Sequence, residues 1–213
     1  ALARKAIDAE TGNPVRDAVL NARSPFTAPQ SDEPIKLLVF GGSQGAQVFS
    51  ALLPAAMALL DDTVRNRIAL TLQVRDEDRS ACEAELARLN IAAELAPFFG
   101  DLPDRMADAH LVIARAGAST VSELAVLGRP SILVPYPYAL DHDQAANAAV
   151  LSSAGGAEVI AQNQLTPEAL AIRLTDFANN PANLTSMATA AAAMGRPEAT
   201  NHLADLVEET ARA

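Results

Sequence analysis

From residue 35 onward the chain alternates between short apolar runs and helical patterns, and this rhythm leaves few folds open. IKLLVF (35–40) is a continuous apolar run, as expected of a strand covered on both faces. Five more strand patterns follow: 68–74, a weaker 92–98, 110–114, 131–136 and 157–160. Helical patterns lie between them at 46–60, 78–90, 102–109, 120–128 and 143–155, and two more, 167–178 and 181–212, finish the chain. Pro54 should kink or restart the first of these. Six strands alternating with helices predict an α/β fold: a Rossmann-like, doubly wound parallel sheet. Its common order is 3-2-1-4-5-6, with the ligand crevice where the order reverses. The loops after strands one and four then lie side by side.

Those two loops carry unusual chemistry. The first is GGSQGA (41–46). Its glycines free the backbone to approach a ligand, and its amides, with a helix start and the Ser43 hydroxyl, suit an anion. It matches neither the dinucleotide fingerprint nor the P-loop. The second is ARAGASTVSELAVLGRP (114–130). Here Thr120 and Glu123 have the spacing of a capping box. The competing reading has the amides of 118–120 gripping a phosphate and Glu123 accepting from two ribose hydroxyls. After strand five, Asp141-His142-Asp143 reads as a helix start. Gln144 and Asn147 share a helix face turned toward the crevice or the preceding loop.

Composition narrows the partners. The formal net charge is -10, without a cluster of Lys and Arg, which excludes a nucleic-acid binder and a basic membrane-surface patch. No membrane contact is therefore expected from this chain itself. The single cysteine, Cys82, excludes an internal disulfide framework and sits in a helical pattern, as a structural thiol does. The opening residues lack a signal peptide and read like the middle of a longer polypeptide. The proline-rich stretch 17–34 reads as a linker or arm.

TGNPVR (11–16), LLVFGGSQGA (37–46), RAGASTVSELAVLGRPSILVPYP (115–137) and DQAANA (143–148) together resemble the MurG family in order and spacing. The resemblance covers about residues 11–200. It implies the C-terminal half of a two-domain GT-B glycosyltransferase. Residues 1–34 would be the interdomain segment and arm, residues 35–213 the donor domain with its C-terminal helices. The implied reaction moves N-acetylglucosamine, with inversion, from UDP-N-acetylglucosamine to undecaprenyl-diphospho-N-acetylmuramoyl pentapeptide. It takes place at the cytoplasmic face of the bacterial inner membrane, on a peripheral protein. Carried over by position, Arg16 and Ser43 face the diphosphate and its surroundings, and the backbone of Phe99 reads the uracil edge. Ala118, Ser119, Thr120, Val121, Ser122 and Glu123 cover the diphosphate and ribose, with Glu123 on the ribose hydroxyls; Gln144 contacts the sugar. No cofactor and no metal are implied. The catalytic base and the contacts to the lipid-linked acceptor belong to an N-terminal domain that these residues do not include.

Two rival functions use the same residues. GGSQG also matches the nucleophile elbow of serine hydrolases, with Ser43 as nucleophile, Asp101 or Asp141 as acid and His142 or His202 as base. Against it, the elbow would follow the first strand, and no oxyanion segment precedes it. The other rival is a UDP-sugar epimerase-like module on the same fold.

Overall fold

The structure is a computed structural model and describes residues 10–42, 47–139 and 143–212. Six parallel strands form one sheet: β1 (Ile35–Phe40), β2 (Ile68–Gln73), β3 (Ala93–Ala96), β4 (Leu111–Ala114), β5 (Ser131–Leu133) and β6 (Ala157–Val159). Their order is β3-β2-β1-β4-β5-β6, as the alternation predicts. The described helices are α1 (Asp17–Asn21), α2 (Gln47–Ala58), α3 (Asp62–Arg65), α4 (Asp76–Arg88), α5 (Leu102–Asp108), α6 (Ala118–Leu127), α7 (Asp143–Ser153), α8 (Pro167–Asn179), α9 (Pro181–Met194) and α10 (Ala199–Arg212).

Strand periodicity divides the core in two. Successive side chains point to opposite faces. Leu37 and Val39 therefore meet Phe49 and Leu53 of α2 and Leu170 and Phe177 of α8. Leu38 and Phe40 meet Val19 of α1, Met106 of α5 and Leu124 of α6 on the other side. The apolar runs of β1, β4 and β5 are continuous because both faces are covered. In β2 and β3 the burial alternates, so one face there is only half covered. Cys82 is buried beneath α4, and burial, with Glu83 and Asp78 nearby, pushes its thiol up to about 11. That environment keeps it protonated, as a packing residue.

Several elements differ from their sequence pattern. The helix of Pro54 runs from Gln47 to Ala58 without restarting, because its partners on the sheet and α8 hold both halves on one face. The terminal stretch 181–212 is two helices, broken at residues 195–198. Pro197 cannot donate to a helical bond, and a Cβ at Gly195 would come within 2.9 Å of the Ala125 carbonyl oxygen. The stretch read as a linker contains α1, with Val19 fully buried. Gly128 closes α6 in the left-handed conformation, φ 63°.

One buried cation ties the arm down. Arg129, 2% exposed, donates to the Ala107 carbonyl at 2.8 Å and to the Ser24 carbonyl and hydroxyl at 3.0 and 2.9 Å. Its guanidinium also covers Phe26, 5.6 Å from the ring centre. Arg67 adds bonds to the Gln30 and Glu33 carbonyls. Removing Arg129 takes away these three bonds and leaves a buried gap where the guanidinium and its stem packed. We predict that Arg129→Ala costs about 3 kcal/mol, a fall of roughly 6–12 °C in melting temperature, with new protease cleavage near residues 23–26. An unchanged melt and cleavage pattern would show that the arm is held by other contacts.

His110 gives the fold a pH dependence. Its Nδ1 accepts the Lys36 amide at 3.1 Å, and burial followed by the Lys36 charge holds its pKa below 6.5. A histidine whose folded pKa is depressed favours folding while neutral. That contribution is complete above the unfolded value and is lost as pH falls through the folded value. Unfolding free energies measured in urea at pH 8 and pH 5 should drop more in the parent chain than in His110→Asn; equal drops refute the assignment.

Candidate functional site

The sheet's order reverses between β1 and β4, which pair in register up to Phe40 and Ala114. The turns leaving their C-terminal ends are therefore neighbours, and their helices run to opposite faces. A cavity of about 650 Å³ opens there. Its lining includes Gly42 after β1, Phe98 and Phe99 after β3, and Ser119, Thr120 and Glu123 of α6. Arg16, far away in sequence, closes one wall.

The α6 wall follows from helical geometry. The helix begins at Ala118, two residues before the sequence pattern places it, and Gly117 is its N-cap with no side chain to offer. The first intrahelical bond from the start comes from Val121 to Gly117 at 3.0 Å. The amides of Ala118, Ser119 and Thr120 have no partner within the helix, and the helix dipole adds partial positive charge there. Ser119, Thr120 and Glu123 share one face at spacings of three and four. Val121 is buried on another face. Ser122 faces away too: its hydroxyl donates to the Ala118 carbonyl at 2.9 Å and accepts from Asn13 at 3.0 Å. Ala118, Val121 and Ser122 are not on the cavity's lining.

The capping box is corrected by these positions. Thr120 lies in the first turn and Glu123 in the second, too far along the helix to reach a cap amide. Instead both Glu123 oxygens receive Arg16, from Nε at 2.8 Å and from a terminal nitrogen at 2.9 Å. Glu123 is 5% exposed. The bond to Glu123 raises the Arg16 pKa, outweighing desolvation. Paired prongs of this kind fix a carboxylate's plane as well as its charge. Sequence reading placed Arg16 toward a diphosphate and missed this partner, 107 positions away.

The remaining predicted residues fall in three places. Phe99 lies on the wall, its residue buried and its ring under Arg105, 4.5 Å from guanidinium to ring centre. Its neighbour Phe98 is 75% exposed at the rim. Gln144 accepts the Tyr136 amide at 2.9 Å, and Asn147 donates to the Ala116 carbonyl at 3.3 Å. Both hold the loops before them, beside the cavity and not on its lining. Ser43, Asp141 and His142 lie outside the described residues. Asp143 lies in the first described turn of α7, its carboxylate accepting the Gln144 amide at 2.7 Å.

Sequence reading also overlooked several residues. Arg75 lines the cavity and pairs with Glu77 and Asp78 at 3.1 and 3.0 Å. Gln73 lines it between β1 and β3. Arg115, directly after β4, is buried and bonded to the Val134 carbonyl and Gln162 at 3.2 and 2.6 Å, with no carboxylate partner among the described residues. A charged residue between apolar strand and glycine turn was the available signal for Arg115. The hydrolase candidates fare differently: Asp101 is held by Arg105 at 2.7 Å, which lowers its pKa, and His202 is exposed on α10.

The match to known proteins agrees with this geometry. Residues 36–203 match the model of the glycosyltransferase family 28 C-terminal domain. A Rhizobium johnstonii protein named UDP-N-acetylglucosamine--N-acetylmuramyl-(pentapeptide) pyrophosphoryl-undecaprenol N-acetylglucosamine transferase is 56% identical over 94% of this chain and 54% of its own length. A Mesorhizobium japonicum protein of the same name is 55% identical, over the same shares. The chain thus spans about half the length of the curated relatives it matches. The crystal structure of Acinetobacter baumannii MurG superposes with a TM-score of 0.76 at 33% identity, over 88% of this chain and 55% of that one. A putative UDP-N-acetylglucosamine 2-epimerase from Listeria monocytogenes shares the fold, with a TM-score of 0.67 at 15% identity over 95% of this chain and 53% of that one. The Rossmann-like sheet is thus that of the C-terminal half of a GT-B glycosyltransferase, and the chain belongs to glycosyltransferase family 28, whose C-terminal domain it contains.

Proposed function

We propose that this chain is the donor-binding half of an enzyme that moves N-acetylglucosamine from UDP-N-acetylglucosamine to undecaprenyl-diphospho-N-acetylmuramoyl pentapeptide, the lipid I to lipid II step of peptidoglycan synthesis. The observation that carries this reading is the joint cavity. Free amides at the start of α6, the Arg16–Glu123 pair and the Phe99 turn surround about 650 Å³ at the switch point. That volume suits a nucleotide diphosphate. In this reading residues 35–213 form the donor domain and residues 1–34 the segment toward the acceptor half.

The nucleotide lies with its base at the turn of Phe99, its ribose at Glu123 and its diphosphate over Ser119 and Thr120. Glu123 suits the ribose because each carboxylate oxygen keeps a free lone pair after Arg16 is bound. Arg16 needs only to swing within reach of the diphosphate to serve both. Ser43 joins the diphosphate side, and Gln144 reaches the sugar by way of the loop it holds.

The costly event is departure of UDP, which gathers negative charge on the diphosphate. Amides already pointing at that position stabilise the charge without reorganising at the moment of reaction. A base must also remove the acceptor's proton. Glu123 is paired with Arg16 through both oxygens, and in this reading its remaining lone pairs go to the ribose, so we place the base, with the acceptor's docking surface, in the other half of the protein. Because the acceptor is lipid-linked, the reaction belongs at the cytoplasmic face of the inner membrane, with the protein peripheral. Among the described residues no helix is long and apolar enough to cross a membrane.

Isothermal titration of the chain should show UDP binding ahead of ADP and GDP, with no transferase turnover by the chain alone. Tighter ADP or GDP binding removes the uridine assignment. Glu123→Ala should lose about 1–3 kcal/mol of UDP affinity, roughly five- to 150-fold, while circular dichroism stays native. Collapse of the fold would make Glu123 a structural residue instead.

A further inference from the structure

We infer that Gln73 is a positioning residue that sets the spacing between the two ends of the nucleotide site, an inference resting on the donor-site reading above. Gln73 is the last residue of β2, and β2 lies between β1 and β3 in the sheet. Its Oε1 accepts the Gly41 amide at 3.1 Å, and its Nε2 donates to the Pro97 carbonyl at 3.0 Å. One side chain thus spans the glycine turn after β1 and the Pro97–Phe99 turn after β3. It also lines the cavity between them.

Among the described residues no other side chain is bonded to both turns. The backbone ladders reach Val39 with Leu72 and Gln73 with Ala96, and Val74 donates once more to the Ala96 carbonyl at 3.0 Å; Gly41 and Pro97 lie just beyond these bonds, after strands separated by β2. Thr71 and Gln73 are half-buried on the face of β2 that no helix fully covers; Phe99 packs under Arg105 on the β3 side, and the Gln73 side chain joins that side to Gly41. The job requires an acceptor at one end of a side chain and a donor at the other, which a carboxamide supplies without charge. A cation or anion at this position would also disturb the potential felt by a diphosphate a few ångströms away. Gly41 belongs to the turn assigned to the diphosphate and Pro97 to the turn assigned to the base. A shift in either bond therefore changes the distance the nucleotide must span, and a misplacement of that kind is costly for a rigid ligand.

Gln73 would touch the ligand little and act through the two turns. Its effect should therefore appear in base preference, which a merely stabilising residue leaves alone. Uracil and cytosine present opposite donor and acceptor patterns to a backbone turn, so a displaced Pro97–Phe99 turn discriminates between them less well.

The test is titration of the chain and of Gln73→Met, which keeps length and volume but makes neither bond, with UDP and CDP. The parent chain should prefer UDP. Gln73→Met should bind UDP roughly tenfold more weakly and lose most of the UDP-over-CDP preference, with a melting temperature lower by about 2–8 °C. If Gln73→Met does not fold, Gln73→Glu keeps the acceptor for Gly41 and loses only the donor to Pro97. Read by ligand-observed NMR with the uncharged nucleosides uridine and cytidine, it should likewise lose preference. Affinity and preference both unchanged overturn the inference and leave the donor site standing. Weaker binding with preference intact reduces Gln73 to a structural residue. Failure of the parent chain to bind UDP at all takes the donor-site reading down first, and this inference with it.

Discussion

The reversal of strand order between β1 and β4 is the constraint on which the rest of the molecule depends. A parallel sheet needs a crossover for each added strand. Here the early crossovers build outward through β2 and β3, and the later ones return to lay β4 against the free side of β1. Helices leaving β1 and β4 must then diverge to opposite faces. The space between their starts is left open by topology, before any side chain is chosen. Side chains decide only what that space attracts. Gly117 starts α6 without a capping group, so the amides there stay available where a serine or aspartate would have consumed one.

The overall acidity of the chain makes the local charge economy more telling. The cavity wall carries two arginines among the described residues, Arg16 and Arg75, and both already have carboxylate partners. Arg16 is 58% exposed at its side chain while Glu123 is nearly buried. Water screens the pair on one side only, so the bridge orients Glu123 more than it stabilises the fold. Asn13 to Ser122 is a second tie between the same two segments. Together they fix residues 13–16 against α6, so whatever moves that N-terminal segment moves the carboxylate assigned to the ribose.

Much of this was legible in the sequence, for identifiable reasons. The runs of β1, β4 and β5 are apolar at nearly every position because both faces are buried, and the strand order follows from the alternation with helices. Local chemistry was readable where one residue decides it, as at Gly128, which ends α6. Relations across the chain were not. Thr120 and Glu123 have the spacing of a capping box, and only the actual start of α6 at Ala118 shows that the spacing is incidental. Arg16 and Glu123, or Gln73 with Gly41 and Pro97, meet through the fold, and no periodicity encodes them. The arm at 17–34 looked like a linker because prolines dominate it. Its anchor, Arg129, lies over a hundred positions later and is buried without a carboxylate partner among the described residues, which composition gives no reason to expect.

The division of labour between halves in the proposed function follows from the same physics. Receiving charge on a departing diphosphate needs fixed dipoles and a nearby cation, and a single Rossmann-like domain supplies these at its switch point without tuning any pKa. Removing a proton from an acceptor hydroxyl needs a group free to take it and close enough to touch the acceptor. Glu123 is the buried carboxylate of this cavity, paired with Arg16 through both oxygens, and its remaining lone pairs are those proposed for the ribose. Freeing it to act as a base would undo the orientation that suits it to the ribose. A site that uses its buried carboxylate for recognition must recruit proton transfer from outside. A second domain facing the cavity is the economical arrangement, since it brings the base and the acceptor together and excludes water when it closes.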